Sequence, residues 1–426
     1  MATIPSTTTA GRIVTLDVIR GVAVMGIFSV NVVGFAMVEA AYFHPPTWGF
    51  DGLADRLMWF ANFVLIDGKM RSLFSILFGA SMLLVAERAE AGGESPAAVH
   101  YRRMAVLLLF GLAHFYLLWF GDILTSYAIV GMAVFLFWRL NALSLAAFAV
   151  TAYIFAFASS LADAAWMRRA VEILASGQGT SAELAAARGT VHFLAPDKAA
   201  IAHDLAVHQN FGAYVREMTG PRAMEPFETV RALWPETLAL MLVGMAGYRS
   251  GFLTGSWSRA TYRRIALFGI GGGAAVSMVL AIVVWSSGFA LPLTMIALET
   301  WSMPVHPVMA LGYAALIVLA IQEREALTQR LAAVGRAAFT NYLGTSLLAT
   351  FIFNGWGLGL YDRLSRAECW LLAPLFWMLM LLWSKPWLDR FRYGPFEWLW
   401  RSFSRGALQP MRKKSSTAVR ERESAA

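Results

Sequence analysis

Asn141-Ala142-Leu143-Ser144-Leu145-Ala146-Ala147-Phe148-Ala149-Val150-Thr151-Ala152-Tyr153-Ile154-Phe155-Ala156-Phe157-Ala158-Ser159-Ser160-Leu161-Ala162 runs for 22 residues without one charged side chain. A helix needs about 18 or more mainly apolar residues to cross the hydrocarbon of a bilayer, and runs of that length are too long for an ordinary globular core. The same pattern recurs along the 426-residue chain. Ten spans are predicted near 18–40, 72–86, 104–120, 124–138, 141–162, 233–248, 265–287, 305–321, 337–356 and 369–384. Apolar residues make up 58% of the chain, charged residues only 15%, and the mean hydropathy is +0.56. A soluble domain carries about 45–50% and about 25%. The composition excludes a soluble enzyme. The fold class expected is an all-α integral membrane protein, a polytopic bundle of about ten transmembrane helices.

Basic residues orient the bundle. With the N-terminus placed in the cytoplasm, 23 Lys and Arg fall on inner segments and five on short outer segments. The other seven lie in the long segment 163–231, which carries little topological weight. Both termini are therefore expected to be cytoplasmic, and the net charge of +8 reflects topology, with no nucleic-acid partner implied. The parts expected are 1–162 with helices 1–5, an extracytoplasmic helical cap over 163–231, 232–384 with helices 6–10, and a basic tail over 385–426. The tail beyond Pro410 reads as disordered, and the first apolar run as a retained helix. The single Cys369 excludes an internal disulfide and any multi-cysteine metal site.

An ionisable side chain within a membrane helix needs a partner or a task. Asp17 and Arg20 lie three residues apart at the start of the first span, on one face. Read simply, they neutralise each other. Read functionally, they form half of a polyanion site with Arg102, Arg103 and Arg336, since the planar guanidinium suits phosphate. Deeper lie His114, ten residues into the third span, and Asp122. If the helix continues, the two share a face two turns apart, out of direct contact, with water or substrate between them. A buried His bonded to a helix carbonyl is the simpler reading, and a general base with a carboxylate above it the functional one. Toward the outer side stand Lys69, Arg71, Glu299, His306 and His44. Asn31 and Asn341 are either interhelical glue or substrate contacts. No metal site is expected at His192, His203 and His208, and Gly269-x-Gly271-Gly272-Gly273 follows no strand and so makes no dinucleotide loop.

These residues fall within a longer pattern: Leu16-Asp17-x-x-Arg20-Gly21 through Gly26-Ile27 to Asn31, then Lys69, then Leu73-Phe74-Ser75-x-Leu77-Phe78-Gly79. Gly111-x-x-His114, Gly121-Asp122-Ile123-Leu124 and Tyr127-Ala128 follow, then Gly335-Arg336 with Thr340-Asn341-Tyr342-Leu343, and last Gly394-Pro395-x-Glu397-Trp398-Leu399-Trp400. In this the chain resembles the YeiB-like family of bacterial inner-membrane proteins (domain of unknown function 418). No motif in 163–231 takes part. More remotely it is similar to membrane acyltransferases that acetylate sugars, including the heparan glucosaminide N-acetyltransferases. That resemblance implies an intramembrane His as base, with His114 and His44 both open to the role.

The function expected is acyl transfer from cytoplasmic acyl-CoA to a hydroxyl or amine of a sugar or lipid acceptor at or beyond the membrane. Arg20, Arg102, Arg103 and Arg336 would hold the CoA phosphates, His114 and Asp122 would perform the proton transfer, and Asp17, Asn31, Lys69 and Asn341 would contact substrate. No cofactor is expected to be tightly bound, acyl-CoA being a co-substrate, and the lipid bilayer is the one certain partner. The alternative is a secondary transporter or channel, against which the sequence shows no repeated halves and no matched pair of interrupted helices. A structural partner of a membrane complex is a third reading. The place expected is the bacterial cytoplasmic (inner) membrane.

Overall fold

The computed structural model describes residues 13–321 and 325–413. Among them the chain is helical throughout, with one isolated bridge, Phe391 to Arg412, and no strand. The helices are α1 Val14–Ala36, α2 Glu39–Phe43, α3 Leu53–Leu65, α4 Lys69–Ala91, α5 Pro96–Leu117, α6 Leu124–Val134, α7 Ala142–Ser176, α8 Ser181–Leu194, α9 Lys198–Val207 and α10 Phe211–Thr219. They continue with α11 Glu225–Arg249, α12 Arg259–Ala266, α13 Gly273–Ser286, α14 Leu291–Ile296, α15 Val305–Ala320, α16 Glu325–Arg336, α17 Ala338–Phe353, α18 Arg366–Trp370, α19 Leu372–Arg390 and α20 Pro395–Arg405.

Several of these helices are apolar enough to make this a membrane protein. Five stretches reach the length and hydropathy of a crossing: Val14–Ala36, Leu53–Ala91, Ala142–Ser176, Arg259–Ser286 and Arg366–Arg390. The pair Leu291–Trp301 and Val305–Ala320, bent by 52°, makes a sixth. The other four predicted spans fall on α5, α6, α11 and α17, which are shorter or more polar. The bent pair and the gap between α3 and α4 are interrupted helices that the sequence did not reveal.

Glycine sets how closely the central helices pack. A Cβ on Gly79 would fall 2.0 Å from Met241 O, and one on Gly244 1.7 Å from Ile76 O, so α4 and α11 touch backbone to backbone. Gly21 and Gly335 do the same for α1 and α16. Gly269 and Gly273, read as a small-residue pair, pack on α15 at Gly312 and Met309. Large apolar side chains from α1, α4, α6, α11 and α17 fill the centre, while α7, α13 and α19 turn many of theirs outward, as lipid-facing helices do.

The segment 163–231 divides between the last turns of α7, the helices α8–α10 and the start of α11. Its residues dock at one end of the bundle: Arg222 pairs with Glu39 at 2.6 Å, Tyr361 donates to Asp204 at 2.8 Å, and the His208 ring stacks on Tyr361 with centroids 4.0 Å apart. This is the cap end. Burial lifts the Glu39 carboxyl to about 7 even with Arg222 beside it. At the opposite, basic end the chain returns after α19. Arg392 N donates to Met411 O at 2.9 Å, so the expected disordered tail is in place as far as Lys413, and its remainder lies outside the described residues.

Candidate functional site

A cavity of about 280 Å³ opens at the basic end. Its mouth carries Arg20, Arg88, Arg103, Arg336, Arg392 and Arg401 against two acids, Asp17 and Glu397. Its inner walls are apolar, with Ile27, Phe74, Phe78, Met104, Leu107 and Phe339, and its floor is Ile123, Leu124, Tyr127 and Tyr342. Six guanidinium groups around one opening repel each other and are stabilised by a polyanion.

The mouth is assembled from both halves of the chain. Arg20 donates to Asp17 at 3.1 Å and to Ser81 at 2.6 Å, so the simple ion pair exists and also forms part of the wall. Arg103 lies 4.3 Å over the Trp400 ring, with Arg401 and Arg405 in electrostatic reach. Glu397 accepts from Phe339 N at 2.7 Å, Thr340 N at 3.0 Å and Thr340 Oγ1 at 2.5 Å, capping the start of α17. That ties the Gly394–Trp400 motif to Phe339 and Thr340. Burial pushes the Glu397 carboxyl up, and these bonds pull it back. Arg102 departs from the expectation: it is exposed, bonds to Ala98 O within its own helix, and does not line the cavity.

Behind the floor lies a buried polar chain. His114 Nδ1 is 2.9 Å from Asp122 Oδ1, and Nε2 is 2.9 Å from Ser346 Oγ. The side chains of His114 and Asp122 are 0% and 1% exposed. The expectation that the two do not touch is corrected, because α5 ends at Leu117 and the chain folds back. His114 consequently sits in the last turn of its helix. Asp122 also accepts from Leu124 N at 3.1 Å and Thr125 N at 2.8 Å, at the start of α6. An ionised carboxylate only accepts, so Asp122 calls for the proton on Nδ1, while the single hydrogen of Ser346 Oγ is shared between Nε2 and Tyr342 O, the latter at 3.2 Å. The rings of His114 and Tyr342 are 5.2 Å apart. Tyr342 Oη and Thr125 Oγ1 are buried without a hydrogen-bond partner; Tyr342 belongs to the floor, while Thr125 packs against Gly111 outside the cavity lining.

The other expected residues lie elsewhere. Asn341 is saturated, donating to Val334 O and Ser384 Oγ and accepting from Trp383 Nε1, and it does not line the cavity. Asn31 is half-buried in the second half of α1, also away from it. Lys69 is fully buried, its Nζ bonded to Phe63 O, and does not snorkel. Both nitrogens of His44 are engaged, with Thr47 Oγ1 and Phe289 O at 3.0 Å each. Burial holds that imidazole below its ordinary range, and it joins loops at the cap end. Sequence reasoning missed Ser346, Arg88, Arg392 and Arg401. The three arginines count in the sequence for topology alone, and the mid-span Ser346 carries no signal.

The fold and cavity define a multi-helix membrane protein with an arginine-rimmed, apolar-walled chamber ending at a buried His–Asp pair. The chain belongs to the YeiB-like family. It is 30% identical to the "Uncharacterized protein YxaH" of Bacillus subtilis (strain 168), over 97% of this chain and 100% of that one. It is also 30% identical to the "Uncharacterized protein YeiB" of Escherichia coli (strain K12), over 95% and 99%. The family model described as "Protein of unknown function (DUF418)" matches residues 247–407. No solved structure matches the chain.

Proposed function

We propose that the chain is a membrane-embedded acyltransferase that moves an acyl group from a cytoplasmic acyl-CoA to an acceptor hydroxyl or amine at or beyond the membrane. The observation that carries this reading is the cavity: a cationic mouth for phosphates, an apolar body for the pantetheine and acyl chain, and a buried His–Asp pair behind its floor. The excess of Lys and Arg at the basic end supports a cytoplasmic placement of that end and of both termini in a bacterial inner membrane, and counting α5, α6, α11 and α17 would bring the crossings to ten.

In the reaction, the acceptor hydroxyl or amine attacks the thioester carbonyl carbon while His114 Nε2 takes its proton, and Asp122 steadies the resulting imidazolium. Tyr342 Oη supplies a donor for the oxygen of the tetrahedral intermediate. The carbon–sulfur bond then breaks, and CoA thiolate takes the proton back from His114 and leaves through the mouth. Ser346 Oγ marks the place at Nε2 where the acceptor hydroxyl stands. Tyr342 lies between chamber and imidazole, so its ring must turn for the thioester to arrive.

The test is thermal unfolding of detergent-purified protein with CoA and acetyl-CoA, for wild type, Arg20→Ala and His114→Ala. A ligand bound by the native state alone raises its stability. A rise lost in Arg20→Ala and kept in His114→Ala supports acyl transfer. No rise with any CoA ester removes its basis.

A second reading, a secondary transporter or channel, is favoured by one observation: the breaks at Ile66–Gly68 and Ser302–Pro304 interrupt two helices, as in many transporters. The two readings differ in the fate of the substrate. An acyltransferase consumes acyl-CoA, and a transporter leaves its solute chemically unchanged.

A further inference from the structure

The two breaks meet. The first gives Gly68 a φ of +70°, and a side chain there would collide with the His306 ring, 2.1 Å from its Cε1. The second lies just before His306, between the π-turn Ala297–Trp301 and α15. Gly26 of α1 packs on Met70, so the crossing stands about half-way along α1. Carbonyls freed at such depth need donors. Lys69 Nζ donates to Phe63 O, Tyr313 Oη to Leu65 O at 2.7 Å, and Tyr153 Oη to Met303 O at 2.5 Å. The interruptions are thus stabilised features of the fold.

The side chains at the crossing are not satisfied in the same way. Arg71 gives one nitrogen to Glu236 Oε2 at 2.8 Å. Its Nη1, Glu236 Oε1 and His306 Nδ1 are buried without a hydrogen-bond partner, as are Ser72 Oγ and Asn62 Oδ1. Glu236 and His306 are only 6% and 7% exposed. Unpaired polar atoms at this depth are expensive, and those on the joined pair Arg71 and Glu236, with His306 Nδ1 beside Gly68, describe groups that a ligand completes. Glu299 is exposed on the bundle surface, with Asp67, Arg71, Glu236 and Asp163 within its electrostatic reach.

Charge selects the ligand. Asp67, Glu236 and Glu299 outnumber Lys69 and Arg71, and a negative excess within a membrane calls for a cation. Among the described residues no three His, Cys, Asp or Glu are arranged to hold a metal ion. An ammonium supplies N–H donors to the free carboxylate oxygens, and its carbon body suits the apolar surroundings. We propose that the crossing of the broken helices, centred on Glu236 and Glu299, is a binding site for a small primary amine. It is distinct from the arginine-rimmed chamber and does not rest on the acyl-transfer reading.

Full-length protein in detergent is titrated with methylamine and 1,4-diaminobutane, with sodium chloride and butane-1,4-diol as controls, by calorimetry and unfolding midpoint. Saturable binding of the amines alone is the expected result, weakened at least about tenfold by Glu299→Gln. Glu299→Asp, which keeps the charge, retains binding, and Asp67→Asn serves as a second loss variant if Glu299→Gln does not fold. Arg103→Gln, at the arginine-rimmed chamber, leaves amine affinity unchanged. No saturable binding of either amine overturns the proposal, as do equal effects of sodium or the diol. Amine binding lost with Arg103→Gln and kept in Glu299→Gln also overturns it, by placing the amine in the arginine-rimmed chamber.

Discussion

The chamber at the basic end and the crossing of the broken helices both place ionisable groups where lipid surrounds the protein, and they do so with opposite sign. Six arginines against two acids ring the first, and three carboxylates against two cations meet at the second. They are neighbours: Tyr127 forms part of the chamber floor, its hydroxyl is 2.7 Å from Ser75 Oγ, and Ser75 donates to Arg71 O at 3.0 Å. In the first region the central pair is fully bonded and the unpaired atoms are hydroxyls, donors awaiting an oxygen. In the second the unpaired atoms are of both kinds, among them a carboxylate oxygen of Glu236 and a guanidinium nitrogen of Arg71. The contrast teaches that polarity inside a membrane is informative through which atoms remain unpaired, more than through which residues are charged.

The sharpest way to break the comparison is at His114. His114→Ala should lower transfer by about 10²–10⁴-fold while acyl-CoA affinity holds. Equal loss of both would make the imidazole structural. Next, Arg103→Gln should weaken CoA binding about tenfold to a hundredfold, the worth of a charged hydrogen bond. Arg102→Gln, one residue away and outside the chamber, should stay within about twofold of wild type. A comparable loss in the Arg102 variant would show that the basic end attracts anions diffusely, without a built mouth.

Gly244→Val forces α4 and α11 apart and should destabilise the fold by about 1–3 kcal/mol, read as a lower unfolding midpoint. Because Arg71 and Glu236 pair across that contact, amine binding should weaken more than CoA binding. Ser346→Ala should reduce turnover less than tenfold if the acceptor itself meets Nε2. A loss equal to that of His114→Ala would make Ser346 the attacking atom, with an acyl-serine to be trapped by mass spectrometry.

The smallest effect lies at the cap. Between about 4.5 and 7 the folded chain keeps a proton on Glu39 that the unfolded chain releases. Stability should therefore fall as pH rises through that window, with no further contribution above it. Glu39→Gln should flatten that slope in unfolding midpoints measured across the range.

Hydropathy identified the apolar crossings because burial in lipid is written in every residue of a run. It could not locate the break at Gly68: the interruption takes three residues, and the predicted span over 72–86 begins beyond it. Charge counting sorted the arginines by side without predicting that Arg392 and Arg401 turn toward Arg20, since that convergence depends on Glu397 capping α17 across the fold. His114 and Asp122 were legible as a pair, but their direct contact was not, because an assumed continuous helix separated them. Arg102 and Arg103 looked equivalent in sequence. One residue is a 100° rotation on a helix, and only Arg103 faces the chamber.

The docking of Gly394–Trp400 on Arg103 and Thr340 has a consequence for biosynthesis. The last of these helices emerges from the ribosome after every apolar stretch has been made, so insertion into the membrane precedes completion of the chamber mouth. A nascent chain stopped before Gly394 would be a fully inserted protein lacking Glu397, Trp400 and Arg401, with α17 uncapped. Ligand competence is thereby delayed until α20 has been made. Fusions or truncations at the C-terminal end should disturb it more than changes of equal size at the cap.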